Sequence, residues 1–93
     1  MTCPPYELRW SRTARRAIGE QLPAEVAAAA AEFITGPLVS NPQRIGKALG
    51  AELTGIYAAR IGQQWRVLYE IDEARHVLTV LDIRHRATVY RRR

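Results

Sequence analysis

The chain contains one cysteine (Cys3), one lysine (Lys47), one methionine and two histidines (His76 and His85) in 93 residues. A single cysteine excludes an internal disulfide, and the reducing cytoplasm is the expected compartment. Two histidines and one cysteine do not make a zinc site, so no metal and no other cofactor is expected. No glycine-rich loop of the Walker or dinucleotide-binding kind occurs, and no serine or cysteine sits in a recognisable nucleophile motif. No apolar run approaches the length needed to cross a bilayer, so a membrane is not an expected partner. The start, Met1-Thr2-Cys3-Pro4-Pro5, lacks the charged and apolar segments of a secretory signal.

Positive charge is in surplus. Fourteen basic residues face nine acidic ones, for a net charge of +5, and every basic residue except Lys47 is arginine. The planar arginine fork holds phosphate bidentately and stacks on bases, whereas lysine acts as a point charge. A GC-rich genome produces the same arginine bias, so the net charge is the better sign of a polyanionic partner. Apolar residues make up 47% of the chain, enough for one packed domain over residues 1–93.

Polarity alternates over Tyr6 to Trp10, which predicts a short strand. Ser11 or Thr13 is placed to cap a helix through Ala14, Ala17 and Ile18 to about Gln21. Pro23 suits the first position of a second helix, Ala24 to Thr35, with Val26, Ala30, Phe33 and Ile34 along one stripe and Gly36-Pro37 as its stop. Leu38 to Thr54 reads as an irregular connection anchored by Leu49 and Leu53. Three strands follow: Ile56 to Ile61, Trp65 to Ile71 after a Gly62-Gln63-Gln64 turn, and His76 to Arg84 after a turn at Asp72 to Arg75. Short turns imply an antiparallel meander. The expected fold class is α+β: an N-terminal strand, a two-helix hairpin and a β-meander, with the helices on one face of the sheet.

Basic residues gather at the strand ends. Arg60 closes one strand and Arg66 opens the next, so their side chains should be neighbours. Period-two alternation puts Arg84 and Arg86 on one face and sends His85 the other way, with Tyr90 four residues beyond Arg86. Trp65, Val67 and Tyr69 are expected to pack on the helices, which leaves Arg66 on an open, positively charged face. Such a face suits RNA cleavage by the RNA's own 2′-hydroxyl: arginines steady the phosphorane, and His85 or Tyr90 moves a proton. Arg60 and Arg66 also have an ordinary use open to them, as solubilising charges on a sheet rim. His85, Tyr90 and Lys47 likewise have ordinary surface roles open to them, and His76, opening a strand after a turn, reads as structural.

Taken in order, Leu22-Pro23, Gly46-Lys47-Ala48-Leu49, Gly55-Ile56-Tyr57-Ala58-Ala59-Arg60-Ile61-Gly62, Trp65-Arg66-Val67-Leu68-Tyr69 and His85-Arg86-Ala87-Thr88-Val89-Tyr90 resemble the RelE side of the RelE/ParE toxin superfamily over nearly the whole chain. The resemblance implies a microbial-RNase-like fold and metal-independent endoribonuclease activity on mRNA in the ribosomal A site. It matches Arg60 and Arg66 to the strand-end arginines, Arg86 to the post-strand arginine with Arg84 as a competing match, and Tyr90 to the terminal tyrosine. Lys47, Trp65, Arg84 and Arg91 are the expected RNA contacts beside the catalytic set of Arg60, Arg66, His85, Arg86 and Tyr90. Three departures stand out: Gln64 lengthens the turn, Trp65 replaces a tyrosine, and Ala58 stands where a basic residue is frequent. The implied partners are mRNA, the ribosome and a cognate antitoxin, with oligomers formed through that antitoxin. A ParE-like inhibitor of DNA gyrase and a non-enzymatic nucleic-acid-binding module remain as alternatives.

Overall fold

A computed structural model describes residues 6–48 and 55–85. The elements run β1 (Glu7–Trp10), α1 (Arg12–Arg16) with a π-helical continuation over Ala17–Gln21, and α2 (Ala24–Phe33) with a second continuation over Ile34–Leu38. They end with α3 (Pro42–Ile45), β2 (Lys47–Ala48), β3 (Ile56–Ile61), β4 (Trp65–Asp72) and β5 (Val77–His85). The sheet order is β1-β5-β4-β3-β2. The expected α+β architecture and antiparallel meander are present, and β1 joins as a parallel neighbour of β5, making the sheet mixed.

Three expectations are corrected. Gly36-Pro37 does not stop the second helix, which widens into a π turn and continues to Leu38. A π turn relieves the clash between a proline ring and the carbonyl four residues earlier. Thr35 and Ser40 hydroxyls donate to the Ala31 and Gly36 carbonyls at 2.7 and 3.2 Å, and Ile34 and Leu38 are fully buried. The connection that follows is not irregular throughout, since it contains α3 and β2. The expected anchors Leu49 and Leu53 lie outside the described residues. Pro23 caps α2 rather than opening it.

One face of the sheet carries the helices. Ala59 and Ile61 of β3, Val67 and Tyr69 of β4, and Leu78, Val80 and Ile83 of β5 form the core with Ala14, Ala17, Ala30, Ile34 and Leu38. Alanine at the contact positions lets the helices approach closely, and α1 packs on β5 while α2 packs on β3. Among the described residues no helix is long and apolar enough to cross a membrane.

A register shift in β5 sets what the other face displays. Tyr69 pairs with Val80 but Leu68 pairs with Asp82, so Leu81 is an extra residue. A bulge of this kind inverts the alternation beyond it. Without it, Asp82 and Arg84 would follow Leu78 and Val80 onto the helix side. The Ser11 hydroxyl, which caps α1 by accepting from the Ala14 amide at 3.0 Å, donates to the Leu81 carbonyl at 2.6 Å. One side chain therefore satisfies both the helix start and the bulge.

Candidate nucleic-acid interface

Residues directly opposite one another in a sheet point to the same face. Arg60 pairs with Arg66, and Arg66 pairs with Arg84. These three arginines form one row across β3, β4 and β5 on the face the helices leave open. The next row is Lys47, Ala58, Leu68 and Asp82, so Lys47 shares this face.

The row opposes ordinary sheet energetics. Like charges directly across a ladder destabilise it, on the scale of about 0.2–1 kcal/mol per pair. Arg66 does lie on the face away from the helices, but it is not open there as expected: it is only 8% exposed and is the one buried charged side chain among the described residues. Its Nη1 donates to the Trp65 carbonyl at 3.1 Å. Arginine tolerates such crowding better than lysine because its charge is delocalised and weakly hydrated. Arg60 is exposed. Arg84 is ion-paired to Asp82, Nε to Oδ2 at 2.5 Å. Among the described residues, these three guanidiniums and the Asp82 carboxylate make up the charged groups of the two rows together with Lys47.

Trp65 pairs with His85, and both point to the helix-bearing face, away from the arginine row. Their rings meet edge to face with centroids 5.4 Å apart. The register places His85 on the face opposite Arg84, as period-two alternation predicts. Trp65 also lines a cleft of about 380 Å³ between α2 and the β3–β4 turn, with Val26, Ala29, Ile61, Gln63 and Gln64. Arg86, Tyr90 and Arg91 lie outside the described residues.

Lys47 is placed by a contact that sequence reading missed. The Tyr69 hydroxyl, beneath the sheet, donates to the Pro42 carbonyl at 2.6 Å. Burial pushes the Tyr69 phenol well above its usual range. A Cβ on Gly46 would lie 2.1 Å from the Tyr69 hydroxyl oxygen and 2.8 Å from the Ala58 carbonyl oxygen. Only glycine lets this chain segment come so close and deliver Lys47 to the edge of β3. The signal was the Gly-Lys pair itself.

The opposite end of the sheet is of another character. Tyr6 stacks on His76 with centroids 3.8 Å apart and donates to Glu73 at 3.1 Å, while Gln43 donates to the Tyr6 hydroxyl at 2.8 Å. His76 has a left-handed backbone, φ 60°. A cleft there mixes Glu70, Asp72 and Glu73 with Arg9 and Arg75, so carboxylates offset its positive groups. Among the described residues the row of paired arginines lies at the Arg60–Arg66–Arg84 end.

The family model for the ParE toxin of the type II toxin–antitoxin system parDE matches residues 6–90. The chain belongs to the RelE/ParE family of type II toxins. Within that family it is similar to toxin RelG of Mycobacterium tuberculosis, 43% identical over 95% of this chain and 99% of the relative. Toxin RelE of the same organism is 41% identical over 94% of this chain and 88% of the relative. Among solved structures, a chain of the M. tuberculosis RelBE2 toxin–antitoxin complex superposes with a TM-score of 0.81 at 40% identity, covering 89% of this chain and 100% of that one. The isolated E. coli RelE toxin shares the fold, with a TM-score of 0.70 at 19% identity over 91% of this chain and 90% of that one.

Proposed function

We propose that this toxin is a ribosome-dependent mRNA endonuclease. The observation that carries the reading is the like-charged row Arg60–Arg66–Arg84, which costs stability in the free protein and becomes favourable when a phosphodiester lies across it. In the reaction the ribose 2′-oxygen attacks phosphorus and the bond to the 5′-oxygen breaks. A 2′,3′-cyclic phosphate and a 5′-hydroxyl result. The arginines stabilise the charge that builds on the non-bridging oxygens. The family pattern assigns Arg86 to the same anion and Tyr90 to proton transfer. Lys47, on the same face, steers the RNA backbone, and the family resemblance implies Arg91 as a further contact; Trp65, on the other face, does not reach the row.

Among the described residues no imidazole stands in the row, and on this reading the ribosome supplies the orientation of the 2′-hydroxyl. The cytoplasm is therefore the site of action. A cognate antitoxin, the kind of partner present in the related RelBE2 complex, is the proposed cover for the basic face and the route to any oligomer.

Because the matching family model describes a ParE toxin, gyrase inhibition is the second reading. Brief induction in a bacterial host separates the two. Primer extension on cellular mRNA shows new in-frame 5′ ends within minutes if the endonuclease reading holds. Intact mRNA with a DNA-damage response sinks it in favour of gyrase.

A further inference from the structure

We propose that Asp82 is a positioning residue that fixes the Arg84 guanidinium in the arginine row; the proposal rests on the RNA-cleavage reading above. Both carboxylate oxygens of Asp82 are engaged. Oδ1 accepts from the Ile83 amide at 2.8 Å and Oδ2 accepts from Arg84 Nε at 2.5 Å. The Asp82 side chain is 13% exposed while that of Arg84 is 47% exposed. A carboxylate anchored by its own backbone thus holds a cation whose far side is open. Among the described residues the Arg84 Nη1 and Nη2 groups make no hydrogen bond, so they remain for an incoming anion.

Neither binding nor ordinary stability explains this arrangement. A negative charge beside an anion site opposes anion binding. Ion pairs with an exposed partner add little to stability. What the pair does supply is order: an arginine has several rotatable bonds, and a donor already aimed where charge develops spares the reorganisation cost in the transition state. The Leu81 bulge, held by Ser11, turns Asp82 and Arg84 together onto the open face.

The test is Asp82→Asn in the full chain, which keeps the shape and removes the charge. Single-turnover cleavage of mRNA on programmed ribosomes, affinity for those ribosomes, thermal midpoint and hydrogen exchange at Arg84 Nε are measured. Positioning predicts a cleavage rate about 10-fold lower or more, affinity unchanged or tighter, and an unchanged midpoint. It also predicts faster exchange at Arg84 Nε, and no further loss when Asp82→Asn is added to Arg84→Ala. An unchanged rate overturns the proposal, as does a rate that falls equally in the Arg84→Ala background. A lowered midpoint with normal cleavage makes Asp82 merely structural and overturns it too. A wild-type protein that cuts nothing on any programmed ribosome refutes the nuclease reading instead. The exchange rate then decides positioning alone: protection lost in Asp82→Asn upholds it, and fast exchange in both proteins overturns it.

Discussion

Arg66 stands directly across the ladder from Arg84, with Arg60 on its other side. On the proposed reading, a phosphodiester lies across this row. Arg66→Lys keeps the charge and removes the bidentate fork, and it should lower mRNA cleavage by about 10- to 100-fold. Stability should stay within about 1 kcal/mol, because the relieved crowding offsets lost packing. Cleavage kinetics paired with urea denaturation check both halves; full activity in Arg66→Lys rejects the role given to the fork.

The close approach of Gly46 to Tyr69 predicts a coupled pair. Gly46→Ala forces a methyl into the Tyr69 hydroxyl and the Ala58 carbonyl, and should cost about 1–3 kcal/mol or more. Tyr69→Phe alone loses the bond to the Pro42 carbonyl and should cost about 1–3 kcal/mol, because that carbonyl loses its partner. Together they should cost less than the sum, since removing the hydroxyl oxygen makes room for the methyl. Strict additivity in denaturant melts contradicts the packing described.

Tyr69 also predicts an alkaline limit. Its folded pKa lies above that of the unfolded chain, about 10. Below that pH both states hold the proton and nothing changes. Above it the unfolded chain loses the proton while the buried phenol cannot, so stability falls as pH rises. Thermal midpoints between pH 8 and 11 should decline more steeply in the wild type than in Tyr69→Phe. Parallel slopes would place the alkaline loss elsewhere.

Ser11→Ala removes a helix cap and the partner of the bulge carbonyl at once. A loss of about 1–3 kcal/mol is expected, with cleavage weakened as the Asp82–Arg84 segment loosens. Denaturation gives the first quantity and cleavage kinetics the second; a loss of less than about 0.5 kcal/mol rules out the double role.

Much of this was legible in the residues. The alternation of Trp65, Val67, Tyr69 and Ile71 placed β4, the turn at Gly62 to Gln64 set Arg60 beside Arg66, and Ser11 marked the start of α1. Other features were hidden for physical reasons. Pairing of β1 with β5 joins segments some seventy positions apart, and no local pattern encodes which edge a strand takes. The Leu81 bulge leaves no period-two signature, yet it decides that Arg84 and Asp82 face outward. Gly36-Pro37 carried a stop signal, and burial of Ile34 and Leu38 overrode it. Gly46 belongs to a recognisable motif, but the tyrosine it accommodates lies more than twenty positions away.

The most direct test uses purified toxin, ribosomes programmed with a defined mRNA, and a matched mRNA carrying a single 2′-deoxyribose at the cut site. The expected result is cleavage of the all-ribose message to 2′,3′-cyclic phosphate and 5′-hydroxyl ends, none of the 2′-deoxy message, and loss of cutting in Arg60→Ala. Equal cutting of both messages, or uncut RNA alongside inhibited gyrase, would contradict it.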